Sequence, residues 1–252
     1  MIRYIVSVDL GKSQDYTALV IVESESAPHK ATTYSVRHLE RYPIGTRYED
    51  IRDAVCALLV RPPVYGNSLF ALDATGVGNS VRELFEPGTL DRDFHALSLL
   101  PGEHSCRMVG DEWASRDDAI AYVRKADSDD QIAKAAARVL ALDDMERYPI
   151  IITGGAQVTF DPMTASYNVP KRDLVAVTQL ALQRGRLLIA QALPLAGLLR
   201  SELEGFRAKP TAAGHETYEA REGEHDDIVL ALAQAVWVGE RVGSALSEPV
   251  ST

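Results

Sequence analysis

The chain has 252 residues, a mass of 27.5 kDa and a formal net charge of −10, from 26 basic and 36 acidic side chains. Hydrophobic residues make up 46% and charged residues 25%, an ordinary globular composition that excludes a disordered, collagen-like or disulfide-stapled chain. No apolar run reaches the roughly 18 residues of a transmembrane helix. The opening Met1-Ile2-Arg3-Tyr4-Ile5-Val6-Ser7-Val8-Asp9 has neither the apolar stretch nor the small-residue cleavage site of a signal peptide. Cys56 and Cys106 make no disulfide framework and no metal-knuckle spacing. The expectation is a reduced, intracellular, soluble protein with no membrane partner. The acidic excess argues against a chain coated in basic charge for bulk nucleic-acid binding and leaves a local patch open.

Arg3 to Leu10 is rich in Ile and Val and reads as a strand ending at Asp9-Leu10-Gly11. Tyr16 to Glu23 is a second β-branched run, and Ala31 to Tyr42 a third, after a turn at Pro28. Three strands joined by short turns predict an antiparallel meander. Tyr48 to Val60 then carries Ile51, Val55, Leu58 and Leu59 at helical spacing, and Pro62-Pro63 ends it. Leu69 to Leu72 is a short apolar strand stopping at Asp73, and Asn79 to Phe85 begins another helix. A meander followed by helix-connected strands gives a mixed α/β sheet with the first and fourth strands as neighbours. Asp9 and Asp73 would then stand at adjacent strand ends.

The middle of the chain divides less cleanly. Either Phe94 to Leu100 or Pro149 to Thr153 supplies the fifth strand. Ser115 to Lys125 and Gln131 to Leu142 read as helices. Between Glu103 and Arg147 there are 11 acidic against 7 basic residues, a poor surface for DNA, and residues 88–148 are expected to form an insertion or cap within one domain over 1–243. Helices are expected at Lys171 to Arg184 and Leu195 to Phe206, with strands at Leu187 to Ile189 and Thr217 to Ala220. Lys171 to Arg221 holds 8 basic and 5 acidic residues, so this half is the better platform for a polyanion. A last helix opens at Asp226-Asp227 and runs through Ile228 to Trp237, apolar nearly all round and therefore buried. Residues 244–252 read as a flexible tail.

Three carboxylate positions stand out: Asp9, Asp73 and the pair Asp226-Asp227. Taken singly, each has an ordinary structural use as a turn residue or a helix cap. If the meander holds, all three converge on one edge of the sheet. Clustered carboxylates repel one another unless a cation lies among them. Hard oxygen donors suit Mg²⁺ or Mn²⁺, and two such ions about 4 Å apart support phosphodiester hydrolysis.

On these residues the chain resembles a known family. Asp9-Leu10-Gly11 with Asp15-Tyr16-Thr17-Ala18, then Leu72-Asp73-Ala74-Thr75-Gly76-Val77-Gly78, look like the first two motifs of the nuclease domain of tailed-phage terminase large subunits. Val169 to Leu174 and Ser201 to Phe206 are similar to segments of the same proteins, and Glu222-Gly223-Glu224-His225-Asp226-Asp227-Ile228 to Ala233 is the strongest match. The resemblance implies a ribonuclease-H-like fold and a metal-dependent endonuclease on double-stranded DNA that leaves 3′-hydroxyl and 5′-phosphate ends. It implies Asp9 and Asp73 as ligands for two Mg²⁺ or Mn²⁺ ions. It implies a third ligand from Asp226 or Asp227, with Asp227 favoured and Asp226 next; Glu224 three residues before Asp227 resembles the acidic pair of Holliday-junction resolvases. Asp15, Glu224, His225 and Lys171 form a second tier. Implied partners are a separate packaging ATPase, a small terminase subunit or a portal, and the implied location is the cytoplasm, that of the host if phage-encoded.

A full terminase places an ATPase domain before its nuclease. Gly11-Lys12-Ser13 ends a phosphate-loop pattern, but the required earlier glycine falls at Val6, so no motor is expected in this chain. Gly76-x-Gly78 is half of a dinucleotide fingerprint; position 81 is Val, and the glycines are expected instead to turn the backbone beside Asp73. A competing reading is an actin-like-fold ATPase or sugar kinase, which also opens on a strand, an Asp-x-Gly turn and a hairpin, with Ile152-Thr153-Gly154-Gly155 as its adenosine loop. The acidic pair opening the last buried helix has no use in such an enzyme.

Overall fold

The computed structural model describes residues 1–12, 15–73, 75–77, 79–86, 98–99, 106–107, 112–113, 116–127, 130–142, 145–205, 207–210, 216–219 and 225–245. In chain order the elements are β1 (Ile2–Asp9), β2 (Thr17–Ala27), β3 (Lys30–Tyr42), α1 (Tyr48–Leu59), β4 (Ser68–Asp73), α2 (Asn79–Glu83), β5 (Ser98–Leu99), β6 (Cys106–Arg107), β7 (Glu112–Trp113), α3 (Arg116–Lys125) and α4 (Gln131–Leu142). They continue with β8 (Glu146–Thr153), β9 (Thr159–Asp161), β10 (Ser166–Pro170), α5 (Lys171–Gln183), β11 (Leu187–Ile189), α6 (Ala196–Gly205), β12 (Arg207–Pro210), β13 (Glu216–Glu219) and α7 (Asp227–Ala245).

The chain divides into two compact units. The first comprises Met1–Gly45, Leu69–Val77 and Arg147–Thr252. It is built on an eight-stranded sheet in the order β11-β3-β2-β1-β4-β8-β10-β9. β1, β2 and β3 form the expected antiparallel meander, with Asp9 opposite Ala18 and Ala18 opposite Arg41. β10 runs parallel to β8 and β11 parallel to β3. β4 lies beside β1, and the two strands end together: Leu10 N–H donates to the Asp73 carbonyl at 3.3 Å.

The fifth strand of the main sheet is β8, around the Pro149–Thr153 run, which lies beside β4. Ser98 and Leu99 pair instead with β6 in a separate three-stranded sheet, and the rest of the Phe94–Leu100 run lies outside the described residues. β9 and β10, a hairpin around Asp161-Pro162, extend the sheet past the elements the sequence suggested. Asp161 Oδ1 accepts from Met163 N–H at 2.9 Å and so closes that turn.

α7 is the core of this unit. Ile228 through Val238 are buried, and the helix packs on β1, β2 and β3 on one side and on α5 and α6 on the other. A helix apolar all round has no face for water, so flanking it on both sides is what its sequence demands. The second unit comprises Thr46–Ser68 and Gly78–Glu146. There α1 and α3 pack on α4, and Arg138 grips Asp53 through two bonds of 2.7 and 3.1 Å. Cys56 is buried and forms no disulfide among the described residues. Among the described residues no helix is long and apolar enough to cross a membrane.

Candidate metal centre

The site lies wholly in the first unit, where β1 and β4 end beside the start of α7. Asp9 closes β1, Asp73 closes β4 and Asp227 opens α7; all three side chains are buried. Asp9 and Asp73 lie close enough for the charge of Asp73 to act on the Asp9 carboxyl. The two acids are not equivalent. Asp73 Oδ1 accepts from Thr75 N–H at 2.7 Å and also from the Thr75 hydroxyl, which favours its charged form. Burial pushes the Asp9 carboxyl well above the usual range, and the charges of Asp73, Asp227 and Asp226 push it further. Burial raises Asp73 too, but the Thr75 bonds and the Lys171 charge hold it back, so Asp9 is the more strongly raised of the two.

Thr75 is itself fixed from behind. Its Oγ1 accepts from Ile152 N–H on β8 at 2.8 Å. A chain of donors thus runs from Ile152 through Thr75 to Asp73. Gly76, at φ +78°, turns the backbone beyond it, and a Cβ there would meet the Lys12 side chain.

Asp227 sits in a second cluster. Arg41 Nη2 on β3 lies 3.2 Å from its Oδ2, and His225 Nδ1 lies 4.0 Å from the same oxygen. The Arg41 guanidinium is 3.6 Å from the centroid of the Tyr16 ring, and the Tyr16 edge meets His225 with centroids 4.8 Å apart. Glu202 on α6 is buried beside them, 4.0 Å from Arg41 Nη1, and its Oε2 accepts from Val229 N–H in the first turn of α7 at 2.9 Å. Burial moves Asp227 up to about 6 against the pull of Arg41 and His225. Burial likewise moves Glu202 up to about 7, opposed by its bond from Val229.

The second tier of residues is placed as follows. Asp226 is half-buried and accepts from Lys171 Nζ at 2.7 Å. His225 stands at the mouth with its side chain 41% exposed. Asp15 is exposed, and its charge reaches Asp227. Glu224 lies outside the described residues. Arg41, Glu202 and Thr75 were not picked out from the sequence. Glu202 lies within the quoted Ser201–Phe206 segment and Thr75 within Leu72–Gly78, whereas Arg41 sits in an alternating strand with nothing to mark it.

Among the described residues, no three acidic, histidine or cysteine side chains stand close enough to hold a metal ion as they are placed. Arg41 lies against Asp227 and Lys171 against Asp226.

No protein-family model and no curated protein matches the sequence. Among solved structures, the large terminase nuclease from thermophilic phage G20c matches over 93% of this chain and 81% of its own, at 18% identity and a TM-score of 0.51. Its structures with bound magnesium and with bound cobalt each match over 94% and 81%, at 18% identity and a TM-score of 0.52. The fold is therefore that of a ribonuclease-H-like mixed sheet flanked by helices.

Proposed function

We propose that this chain is a divalent-metal-dependent endonuclease that hydrolyses double-stranded DNA, serving as the nuclease of a viral genome-packaging machine. One observation carries the reading: two buried aspartates stand at adjacent strand ends, within reach of the charge of a third, Asp227, on a fold shared with a phage terminase nuclease. The donor set, carboxylate oxygens alone, fits a hard cation. Asp9, Asp73 and Asp227 would hold Mg²⁺ or Mn²⁺, with Asp226 next and two ions in all. A bound ion there supplies Lewis-acid polarisation of a phosphoryl oxygen and a water acidic enough to attack.

The chain's own residues do the rest. Thr75 aims Asp73, leaving its Oδ2 free of the threonine bonds. Asp9 must give up its proton before it can ligate, so ligation and deprotonation are linked. Lys171, beside the carboxylates, supplies positive charge for the DNA backbone, and with a net charge of −10 the chain binds DNA weakly and in a salt-sensitive way.

The test is plasmid cleavage with Mn²⁺, Mg²⁺ or EDTA, running wild type beside Asp9→Asn and Asp73→Asn. Metal-dependent nicking or linearisation, with 3′-hydroxyl ends, that both variants lose while remaining folded supports the reading. Cleavage that survives Asp73→Asn overturns the site. A folded wild type that neither cuts nor binds metal, but is thermally stabilised by ATP, turns the assignment to the actin-like ATPase.

A further inference from the structure

The Arg41 cluster contains a mismatch. Arg41 Nε and Nη2, Glu202 Oε1 and Asp227 Oδ2 are all buried, and among the described residues none of the four makes an aligned hydrogen bond. Yet Arg41 lies 3.2 Å from Asp227 and 4.0 Å from Glu202. A guanidinium fully committed to one carboxylate would form the two parallel bonds of a fork. Arg41 forms neither fork. It hangs between two carboxylates, with its flat face carried on the Tyr16 ring at 3.6 Å. An aromatic face supports a guanidinium without fixing its rotation, because the attraction has no directional donor.

The two carboxylates differ in what else they do. Glu202 is tied by its other oxygen to Val229 N–H and stays where it is. Among the described residues Asp227 Oδ2 has no such tie, and its charge reaches the Asp9 carboxyl. A buried carboxylate needs a positive partner whether or not a metal is present. Some group must neutralise Asp227 in the metal-free protein, and some group must take Arg41 when Asp227 is claimed.

Resting on the nuclease reading above, we propose that Arg41 is an exchangeable counter-charge: it neutralises Asp227 in the metal-free protein and transfers to Glu202 when Asp227 becomes a metal ligand. Arg41 and Glu202 are positioning residues, acting through Asp227. The exchange keeps one positive charge in the cluster throughout, so the site need not collapse when empty or expel a residue when filled.

The two partners then have opposite effects on metal binding. Arg41→Gln removes the competitor for Asp227, and the Mn²⁺ dissociation constant measured by titration calorimetry should fall at least threefold. Glu202→Gln keeps an amide oxygen for Val229 but removes the seat to which Arg41 transfers, so the dissociation constant should rise at least threefold. In the double variant Glu202 has lost its role, and adding Glu202→Gln to Arg41→Gln should change the constant by less than twofold. A Glu202 that merely attracts the ion from a distance would weaken binding in both backgrounds, and that result overturns the exchange. So does loss of binding in both single variants, the signature of a purely structural pair. Arg41→Met, which keeps a stem against Tyr16, replaces Arg41→Gln should that variant not fold. A wild type that binds no Mn²⁺ overturns the nuclease reading together with the exchange, whereas a wild type that binds and cuts, with variants shifting together, overturns the exchange alone.

Discussion

Ser7 and Gln234 meet inside the core directly beneath Asp9 and Asp227. Both are fully buried, and Ser7 Oγ donates to Gln234 Oε1 at 3.4 Å. Ser7 precedes Asp9 by two residues and shares its face of β1; Gln234 follows Asp227 by seven and shares its face of α7. Polar groups in an apolar core restrict how two elements can slide past each other. Facing each other, Ser7 and Gln234 would resist a slide of α7 along β1. The Gln234 Nε2 has no partner among the described residues, which costs about 1–3 kcal/mol. Replacing both partners with apolar groups removes that cost. The double variant Ser7→Ala/Gln234→Leu should therefore be more stable than wild type by about 1–2 kcal/mol in urea unfolding, yet cleave DNA more slowly. Equal or higher activity in the stabilised variant would show that the register does not depend on the pair.

Thr75 offers a cleaner separation of stability from function. Thr75→Val keeps the shape and the backbone N–H that holds Asp73 at 2.7 Å, but leaves Ile152 N–H without its acceptor. The expected stability loss is about 1–3 kcal/mol. Loss of a group that orients a metal ligand typically costs about 10- to 100-fold in affinity or activity. Mn²⁺ affinity and cleavage should both drop in that range, and Thr75→Ser should restore both. A valine variant with unchanged Mn²⁺ affinity would mean that Asp73 needs no aiming.

The fold was legible where one period dominates a long segment. β1 to β3 are rich in β-branched residues and bounded by turns, and α7 is apolar over three turns, so both read directly. β9 and β10 have three and five residues and no clean period, and their signal was the turn Asp161-Pro162 between them. The choice of fifth strand depended on a crossover that no local pattern encodes. The carboxylates were visible because strand ends and helix starts place Asp predictably. Arg41 and Glu202 were not, since they come from β3 and α6 and meet Asp227 only through tertiary packing. A lone Arg in an alternating strand looks like any solvent-facing residue until its neighbours are known.

Gly239 shows a constraint that propensity alone would miss. Alanine in a helix interior is favoured over glycine by about 1 kcal/mol, so Gly239→Ala in α7 would ordinarily stabilise. A Cβ at this position would press into the Tyr34 ring, lie 2.9 Å from its Oη and 3.0 Å from Ile5 Cδ1. Tyr34 cannot yield easily, because its hydroxyl donates to Glu240 at 2.7 Å and its ring is fully buried. Overpacking of this kind costs about 1–3 kcal/mol, which exceeds the propensity gain. Gly239→Ala should lower the melting temperature, and Gly239→Ala with Tyr34→Leu should recover part of the loss. A stabilised single variant would mean that β1 and α7 can move apart there at little cost.

The acidic site makes the metal-free protein sensitive to pH in a direction opposite to that of an ordinary salt-bridged carboxylate. Asp9 is raised well above the usual carboxylate range by burial and by its acidic neighbours, Asp227 to about 6 and Glu202 to about 7. In the unfolded chain all three titrate near pH 4. The folded protein therefore holds more protons than the unfolded one between about pH 4 and the raised values. Stability from these groups is fully present below about pH 4 and is lost as pH climbs through those raised values. Asp9→Asn removes the largest part of this penalty without changing volume. In EDTA, the melting temperature of Asp9→Asn minus that of wild type should be small near pH 5 and grow steadily towards pH 8. Mn²⁺ should close the gap at pH 8 by stabilising wild type and leaving the variant nearly unmoved. The same variant should not cut DNA, the expected trade of stability against activity when a functional carboxylate is buried. A gap that stays flat across pH 5–8 would show that Asp9 titrates normally.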